Sequence, residues 1–250
     1  MRPRVTGAIA VRVLRQLRHD HRTMALLLFM PTVILALLRW MFDARPQVFY
    51  SLGPALLALI PFMVMFLVTS ITTLRERSSG TLERLLTLPM GKLDLLLGYA
   101  IAFGLMATLQ SGIAAAVSIG LLGMEVDSVW LLLVVAVADA VLGTALGLFV
   151  SAFARTEFQA VQFMPAVVFP QILLCGLFLP RDELPTGLDW FSDLLPLSYA
   201  VDAMTLVAQG TSTTGFAGAP SGVWADLGVI LGFTLALLGL GAATLRRRTA

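Results

Sequence analysis

The chain has 250 residues, of which 58% are hydrophobic and 13% charged, with a formal net charge of +2 and a mean hydropathy of +0.89. Ordinary soluble domains carry about 25% charged residues, so this composition excludes a soluble globular domain. The apolar residues occur in long runs separated by short polar joints, which predicts a single transmembrane domain over residues 1–250. A single cysteine, Cys175, excludes an internal disulfide framework.

Residues 1–23 are predicted to form an amphipathic helix at the membrane interface. Apolar residues recur at every fourth position, which gives such a helix one apolar stripe; they are Val5, Ile9, Val13 and Leu17. The same segment carries the arginines Arg2, Arg4, Arg12, Arg15, Arg18 and Arg22. A helix of this kind lies in the interface of an anionic leaflet. A nucleic-acid-binding arm is the alternative for a basic run, and the apolar stripe disfavours it.

Six apolar runs follow, and each has close to the roughly 20 residues with which a helix spans a bilayer. The predicted spans are 24–42, 52–74, 95–122, 129–153, 160–179 and 223–245. The predicted fold is therefore an all-α membrane protein with six transmembrane helices.

The distribution of charge predicts the orientation. Of the 17 Lys and Arg residues, 14 fall before the first span, in 75–94, in 154–159 or after the last span. Positive charge collects on the cytoplasmic side, so both termini are predicted to be cytoplasmic. The four tryptophans fall at the opposite, outer ends of the predicted spans, where indole rings collect; they are Trp40, Trp130, Trp190 and Trp224. The expected location is a bacterial inner membrane.

The charged insert between the second and third predicted spans reads RERSSGTLERLLTLPMGKLDLLLG from Arg75 to Gly98. Leu82, Leu85 and Leu86 would share one face of a short helix that ends near Pro89. Taken alone, these residues indicate a solvated loop whose amphipathic helix lies on the lipid headgroups.

The same insert resembles the segment that follows the second span in permeases of the type-2 ABC exporter family. The matching residues are Arg75, Glu76, Gly80, Thr81, Leu82, Glu83, Arg84, Leu85, Leu86 and Pro89. The resemblance implies that residues 75–91 form a coupling helix, which docks in a groove of a separate ATP-hydrolysing subunit.

The segment 180–222 is too apolar to be a free external loop, and its composition favours short helices that dip into the outer leaflet. CGLFLP at 175–180 and LPLSYAVDAM at 195–204 resemble the family's segment before the last span, a re-entrant pair of short external helices near the exit of the pathway. The gate candidates that this implies are Pro180, Pro196, Leu197, Tyr199 and Asp202. This chain has Thr205 where many relatives carry arginine.

Polar residues inside the spans are candidates for a transport pathway. Asp139 lies near the middle of the fourth predicted span, where it either lines a polar pathway or makes a structural hydrogen bond. Gln110 and Gln171 are further pathway candidates, with hydrogen bonding between helices as the alternative.

Two pairs of glycines are spaced for close helix packing. Gly143 and Gly147 lie in the fourth predicted span, and Gly228 and Gly232 lie in the sixth. Glycines four positions apart let two helix backbones approach, and most such pairs pack within one chain.

Catalytic motifs are missing from the sequence. Gly91-Lys92 has no glycine five residues ahead of it and is followed by Leu93, so no phosphate-binding loop is present. His19 and His21 stand without a partner cysteine or histidine, which excludes a metal cluster there. We therefore expect no enzymatic activity and no bound cofactor in this chain.

The resemblance implies a permease subunit of an ATP-binding-cassette exporter that moves an amphipathic drug or lipid-like substrate outward. The implied partners are two ATPase subunits holding ATP and Mg²⁺, a second copy of this permease or a related one, and membrane lipids; no nucleic acid is expected. Export of a polysaccharide or glycolipid, and an accessory membrane subunit without its own pathway, are the alternatives. A membrane-embedded enzyme is disfavoured because clustered catalytic residues are missing.

Overall fold

The computed structural model describes residues 3–79, 91–209 and 222–244. Within these ranges the regular structure is helical, as the composition predicts. The α-helices are α1 (Pro3–His19), α2 (His21–Met41), α3 (Pro46–Ser78), α4 (Lys92–Gly120), α5 (Val129–Ser151), α6 (Glu157–Leu174), α7 (Thr186–Asp193), α8 (Pro196–Gln209) and α9 (Val223–Thr244), with a 3-10 turn at Arg181–Glu183.

Five of the described helices are long and apolar enough to cross a membrane, namely α2, α3, α4 from Asp94 onward, α5 and α9. The predicted span 160–179 corresponds to α6, which has 18 residues. A helix of that length measures about 27 Å, slightly less than the roughly 30 Å of a hydrocarbon core. Three glutamines also lower the hydropathy of α6; they are Gln159, Gln162 and Gln171. Membrane crossing by α6 therefore stays a prediction.

The two ends of the bundle are called inner and outer after the orientation that the charge distribution predicts. The inner end of α3 differs from the sequence prediction. Residues 75–78 continue α3 without a break, so Arg75 and Glu76 belong to its last turns and not to a separate coupling helix over 75–91. The continuous helix arises because no glycine or proline interrupts residues 62–78. The other predicted coupling residues lie outside the described residues; they are Gly80, Thr81, Leu82, Glu83, Arg84, Leu85, Leu86 and Pro89.

Helices α3 and α5 form the centre of the bundle and share the most extensive contact between described helices. They run in the same direction, since Gly143 lies against Phe62 and Gly147 lies against Phe66 one turn further along. A Cβ added at either glycine would lie 2.5 Å from the carbonyl oxygen of the facing phenylalanine. Only glycine permits this approach, so the close packing predicted for this pair is confirmed.

The second glycine pair makes no such contact in the described part of the chain. A Cβ at Gly228 or at Gly232 would meet no atom within 4 Å. The buried face of α9 is a different one, which includes Val223, Leu227 and Ile230. The close approach predicted from this spacing is therefore made within the described part of the chain by the first pair, and for the second pair it stays a prediction.

The apolar stripe of α1 is buried against α4. Ile9, Val13 and Leu17 are all buried, and a Cβ at Gly98 of α4 would lie 2.6 Å from Ile9 Cγ2. The stripe thus contacts protein, and the exposed arginines of α1 are Arg4, Arg15 and Arg18. The predicted position of α1 in the membrane interface stays a prediction.

Segment 180–209 contains short helices, as its composition predicts. Helix α8 is well buried, with Leu197, Ala200 and Met204 fully inaccessible and part of the same core as α3 and α5. Proline at its first position, Pro196, suits a helix start because that residue needs no backbone N–H.

The contact between α3 and α5 gives a direct test by substitution. We expect Gly143→Ala to lower the stability of the protein in detergent, because the new methyl group meets a backbone oxygen that cannot rotate away; overpacking of this kind costs about 1–3 kcal/mol. Gly232→Ala is the matched control, since it adds the same methyl group in open space and improves helix propensity. Thermal unfolding followed by circular dichroism checks both, and equal melting temperatures for the two variants would contradict the packing.

Candidate functional site

The inner end of α3 carries a buried carboxylate that joins three helices. Glu76 is 5% exposed, and its Oε2 accepts a hydrogen bond from Arg12 Nη2 of α1 at 2.7 Å. The same Nη2 lies 3.0 Å from the Tyr99 hydroxyl of α4. Because a buried carboxylate requires a partner, Arg12 fixes the position of α1 relative to α3 and α4.

Two further arginines at this end reach other helices. Arg75 forms a bidentate pair with Glu157, from Nε to Oε1 at 2.8 Å and from Nη2 to Oε2 at 2.9 Å. This hydrogen bonding lowers the pKa of Glu157, so the pair persists until the pH falls below the ordinary range of a glutamate. Arg77 donates to the carbonyl oxygen of Ser151, at the last residue of α5. The inner end of α3 is thereby bonded to α6 and α5 as well.

The described part of the chain resumes at Gly91, at the start of α4. The Gly91 N–H donates to Asp94 Oδ2 at 3.2 Å, which caps the start of α4. Asp94 is 3% exposed, and its negative charge suits the positive end of the helix. Both ends of the segment 80–90 are therefore attached to the helix bundle at defined positions.

These contacts attach α1, α3, α4, α5 and α6 to one another at one end of the bundle. We call these residues the inner network: Arg12, Glu76, Tyr99, Arg75, Glu157, Arg77 and Ser151. Of the predicted coupling residues, the structure brings Arg75 and Glu76 into this network.

Sequence reasoning missed Arg12, Tyr99 and Glu157. Arg12 was one of several arginines in a basic helix, yet on a 3.6-residue period it lies nearer the apolar stripe than Arg15 or Arg18. That position is a signal that it faces protein. Tyr99 and Glu157 have no comparable signal, since their partners are distant in sequence.

The pathway candidates have different environments. Asp139 on α5 and Gln110 on α4 are both 0% exposed, and neither side chain has a hydrogen-bond partner among the described residues. The two helices are joined nearby, where Ser111 Oγ donates to the Ala136 carbonyl at 3.3 Å. Buried polar groups without partners are rare and costly, so these two call for an explanation beyond packing.

Gln171 is engaged within the protein. Its Nε2 donates to the Val167 carbonyl at 3.0 Å, and its Oε1 accepts from the Leu197 N–H at 3.3 Å. The side chain thus satisfies a free N–H at the start of α8. These bonds match the structural alternative, hydrogen bonding between helices, and its role in a pathway stays a prediction.

An apolar groove runs between α2, α3 and α6. Its volume is about 400 Å³, and its apolar wall includes Met30, Met63 and Met164, one methionine from each helix. The polar lining residues Thr23 and Arg75 lie at the inner end, next to the inner network. The groove is therefore amphipathic along its length.

The outer side carries a second charge network around Arg181. Its guanidinium donates to Asp193 at the end of α7 and to Asp202 of α8, and it lies 5.3 Å from the centre of the Tyr199 ring. Burial raises the pKa of Asp202, and the contact with Arg181 opposes that rise. The Tyr199 hydroxyl donates to the Asp193 carbonyl oxygen at 2.9 Å.

The gate candidates are brought to this outer side. Tyr199 and Asp202 contact Arg181 directly, and the exposed Pro180 precedes the 3-10 turn. Pro196 and Leu197 are buried at the start of α8. Sequence reasoning missed Arg181 itself.

Among the described residues, no group of three or more His, Cys, Asp or Glu side chains could hold a metal ion.

The pair of Arg12 and Glu76 can be tested by a double-mutant cycle. We expect Glu76→Gln and Arg12→Met each to lower the free energy of unfolding by about 1.5–3 kcal/mol, the range for hydrogen bonds to charged groups. The double variant should lose less than the sum, because the two residues share one interaction. Arg15→Met, an exposed change on the same helix, should have little effect. Full additivity of the two single changes would contradict a direct interaction.

Comparison with known proteins identifies the family of this chain. The chain matches the sequence profile of the ABC-2 type transporter family over residues 4–208. It is 30% identical over 156 residues to ABC transporter G family member 20 of Dictyostelium discoideum, covering 61% of this chain and 21% of that protein. It is 29% identical over 152 residues to the probable multidrug ABC transporter permease YbhR of Escherichia coli K12, covering 60% and 41%.

A third relative is the linearmycin resistance permease protein LnrN of Bacillus subtilis strain 168, which is 24% identical over 176 residues, covering 70% of this chain and 44% of LnrN. The chain therefore spans less than half the length of each of these three relatives. The profile match extends over most of the sequence and includes the inner network as well as the segment 80–90. The chain belongs to the ABC-2 type transporter family, as a multi-pass membrane protein.

Proposed function

We propose that this chain is the permease subunit of an exporter that moves an amphipathic drug or lipid-like substrate outward with ATP hydrolysed by a separate subunit. The observation that carries the proposal is the inner network, which attaches five helices to the two ends of the segment 80–90. In a member of this family, such an attachment is what a subunit needs in order to receive force from an ATPase.

The proposed mechanism follows from that attachment. Closure of a pair of ATPase subunits on ATP displaces the segment 80–90, with Glu83, Arg84 and the face of Leu82, Leu85 and Leu86 as docking contacts. The inner network passes the displacement into α1, α3, α4, α5 and α6 together. The bundle then alternates between a closed and an outward-permissive arrangement.

The groove between α2, α3 and α6 supports an amphipathic substrate. It extends along α3 from Ile60 to Arg75, which is about 22 Å at the helical rise and suits an extended hydrocarbon chain. Methionines from three helices line it, and their flexible side chains adapt to ligands of different shape. Arg75 and Thr23 at the inner end would receive the polar group. Asp139 and Gln110, buried without a hydrogen-bond partner in the described part of the chain, are further candidates to meet a polar part of the substrate during transport.

The assembly is proposed from the family. Two copies of this permease, or one copy and a related permease, would enclose the pathway, and two ATPase subunits would bind ATP and Mg²⁺. This chain would hold no cofactor itself. Six spans, with α6 as the fifth, would cross a bacterial inner membrane with both termini in the cytoplasm, in agreement with the positive charge at the inner ends.

Two alternative functions differ from this proposal in what an experiment would show. A polysaccharide or glycolipid exporter would need a polar pathway, whereas the groove between α2, α3 and α6 is lined mainly by apolar residues. An accessory subunit without a pathway would bind the ATPase and transport nothing. The names of two relatives, a multidrug permease and a linearmycin resistance permease, favour the first proposal over both.

Coupling can be tested in vesicles that contain the permease and its ATPase. We expect Leu85→Asp with Leu86→Asp to abolish ATP-dependent transport of an amphipathic dye, because charges on the apolar docking face would weaken its contact with the ATPase groove. ATP hydrolysis should continue without responding to the dye, and the purified permease should keep its helical content.

Arg18→Asp is the matched control, since it makes the same change in net charge at an exposed position of α1, outside the docking contacts and the inner network. It should transport as the unchanged protein does. Normal efflux by the double Leu variant would refute the proposed docking face, and dye-independent hydrolysis with no transport by the unchanged complex would favour an accessory subunit.

A further inference from the structure

A cavity lies on the outer side of the bundle, apart from the groove and the inner network. Its volume is about 730 Å³, and its walls come from the first half of α3, from residues 176–181, from α8 and from the start of α9. This volume falls within the range of about 300–1,000 Å³ that is typical of small-molecule sites.

The charged residues lining the cavity are Arg181, Asp202 and Asp226. Arg181 already has two carboxylate partners, Asp193 and Asp202, so its positive charge is more than balanced. Asp226 also lines the cavity. It forms no ion pair with any described residue. The wall of the cavity therefore carries an excess of negative charge.

The arrangement around Arg181 shows how a cation is held at this place in the fold. Its guanidinium lies between two carboxylates and over the face of the Tyr199 ring. Carboxylates combined with an aromatic face are the groups that recognise organic ammonium ions. The cavity beside Arg181 has groups of the same two kinds in its wall, the carboxylate of Asp226 and the aromatic ring of Phe178.

The remaining wall suits an organic group better than a metal ion. Leu52, Phe178 and Leu206 supply apolar surface, and the hydroxyl-bearing residues Ser51 and Thr205 add polar groups. A divalent ion would need more oxygen ligands than two carboxylates supply. An alkylammonium ion has one charge and an apolar chain, which match both parts of the wall.

We propose that this outer cavity binds the ammonium group of an amphipathic organic cation, with Asp226 as the counter-ion and the apolar wall receiving the attached chain. The site lies within one chain and needs neither ATP nor a partner subunit. The inference therefore goes beyond the proposed transport function, and each can fail without the other.

The test measures binding to the purified full chain in lipid nanodiscs, with hexyltrimethylammonium as the probe and 1-hexanol and hexanoate as probes of equal chain length. Isothermal titration should show saturable binding of the ammonium compound at a stoichiometry of one, and only partitioning into lipid for the other two. Asp226→Asn should weaken binding by about tenfold or more, as expected for loss of a charge-assisted contact.

Glu183→Gln is the matched control, because Glu183 is an exposed acid of the 3-10 turn that does not line the cavity. It should leave the affinity unchanged. A second variant tests the site without removing the carboxylate: Thr205→Arg places an internal cation in the cavity and should abolish binding, whereas Thr205→Gln, which is uncharged, should retain it.

Three results would overturn the proposal. They are equal binding of the ammonium compound and hexanol, unchanged affinity in Asp226→Asn, and unchanged affinity in Thr205→Arg. A fourth such result is preferential binding of hexanoate, which would assign the cavity to anions.

Discussion

The buried contact between Glu76 and Arg12 is the constraint on which the arrangement of the inner helices depends. A carboxylate at 5% exposure is strongly destabilising without a partner, so α1 must keep Arg12 within reach of α3. The same guanidinium holds Tyr99, which places α4. The more exposed pair of Arg75 and Glu157 adds little stability, because ion pairs in water contribute about 0–1 kcal/mol, but it sets where α6 begins relative to α3.

Close packing at the centre of the bundle connects these inner helices to the outer side. Helix α3 has 33 residues, about 50 Å at the helical rise, so it is longer than the hydrocarbon core is thick. Its backbone touches that of α5 at Gly143 and Gly147, where packing leaves no room for one helix to slide past the other. Helix α8 packs against both, and Arg181 attaches it to α7. Inner and outer ends are thus connected through closely packed helices.

Much of this fold follows from local pattern, and the parts that do not follow depend on distant partners. The apolar runs locate the long helices, since burial in lipid or protein demands nearly continuous apolar sequence. The stripe of Ile9, Val13 and Leu17 predicts a helix with one buried face, yet nothing in it indicates that the partner is α4 and not a membrane surface.

The candidate site shows the same division between local and distant information. The motif around Gly80 and Pro89 marks the segment by resemblance, whereas the role of Arg12 becomes visible only when α3 and α1 are adjacent. Of two glycine pairs of equal spacing, one packs against a described helix and the other does not, because spacing creates a flat helix face without specifying a neighbour. Helix α6 is ambiguous for a physical reason as well, since its glutamines reduce its hydropathy while its length remains close to that of a span.

The most direct test of whether the helices joined by the inner network move as one unit is a distance measurement in the assembled complex with the ATPase. Spin labels at Arg15 of α1 and Phe158 of α6, both exposed positions, report the separation of two helices that the inner network joins through α3. If the network transmits force as one body, pulsed electron paramagnetic resonance should give the same distance distribution with ADP and with trapped ATP, while transport proceeds. A shift of that distribution on ATP binding would show that the inner ends move independently, and would contradict the proposed transmission of force.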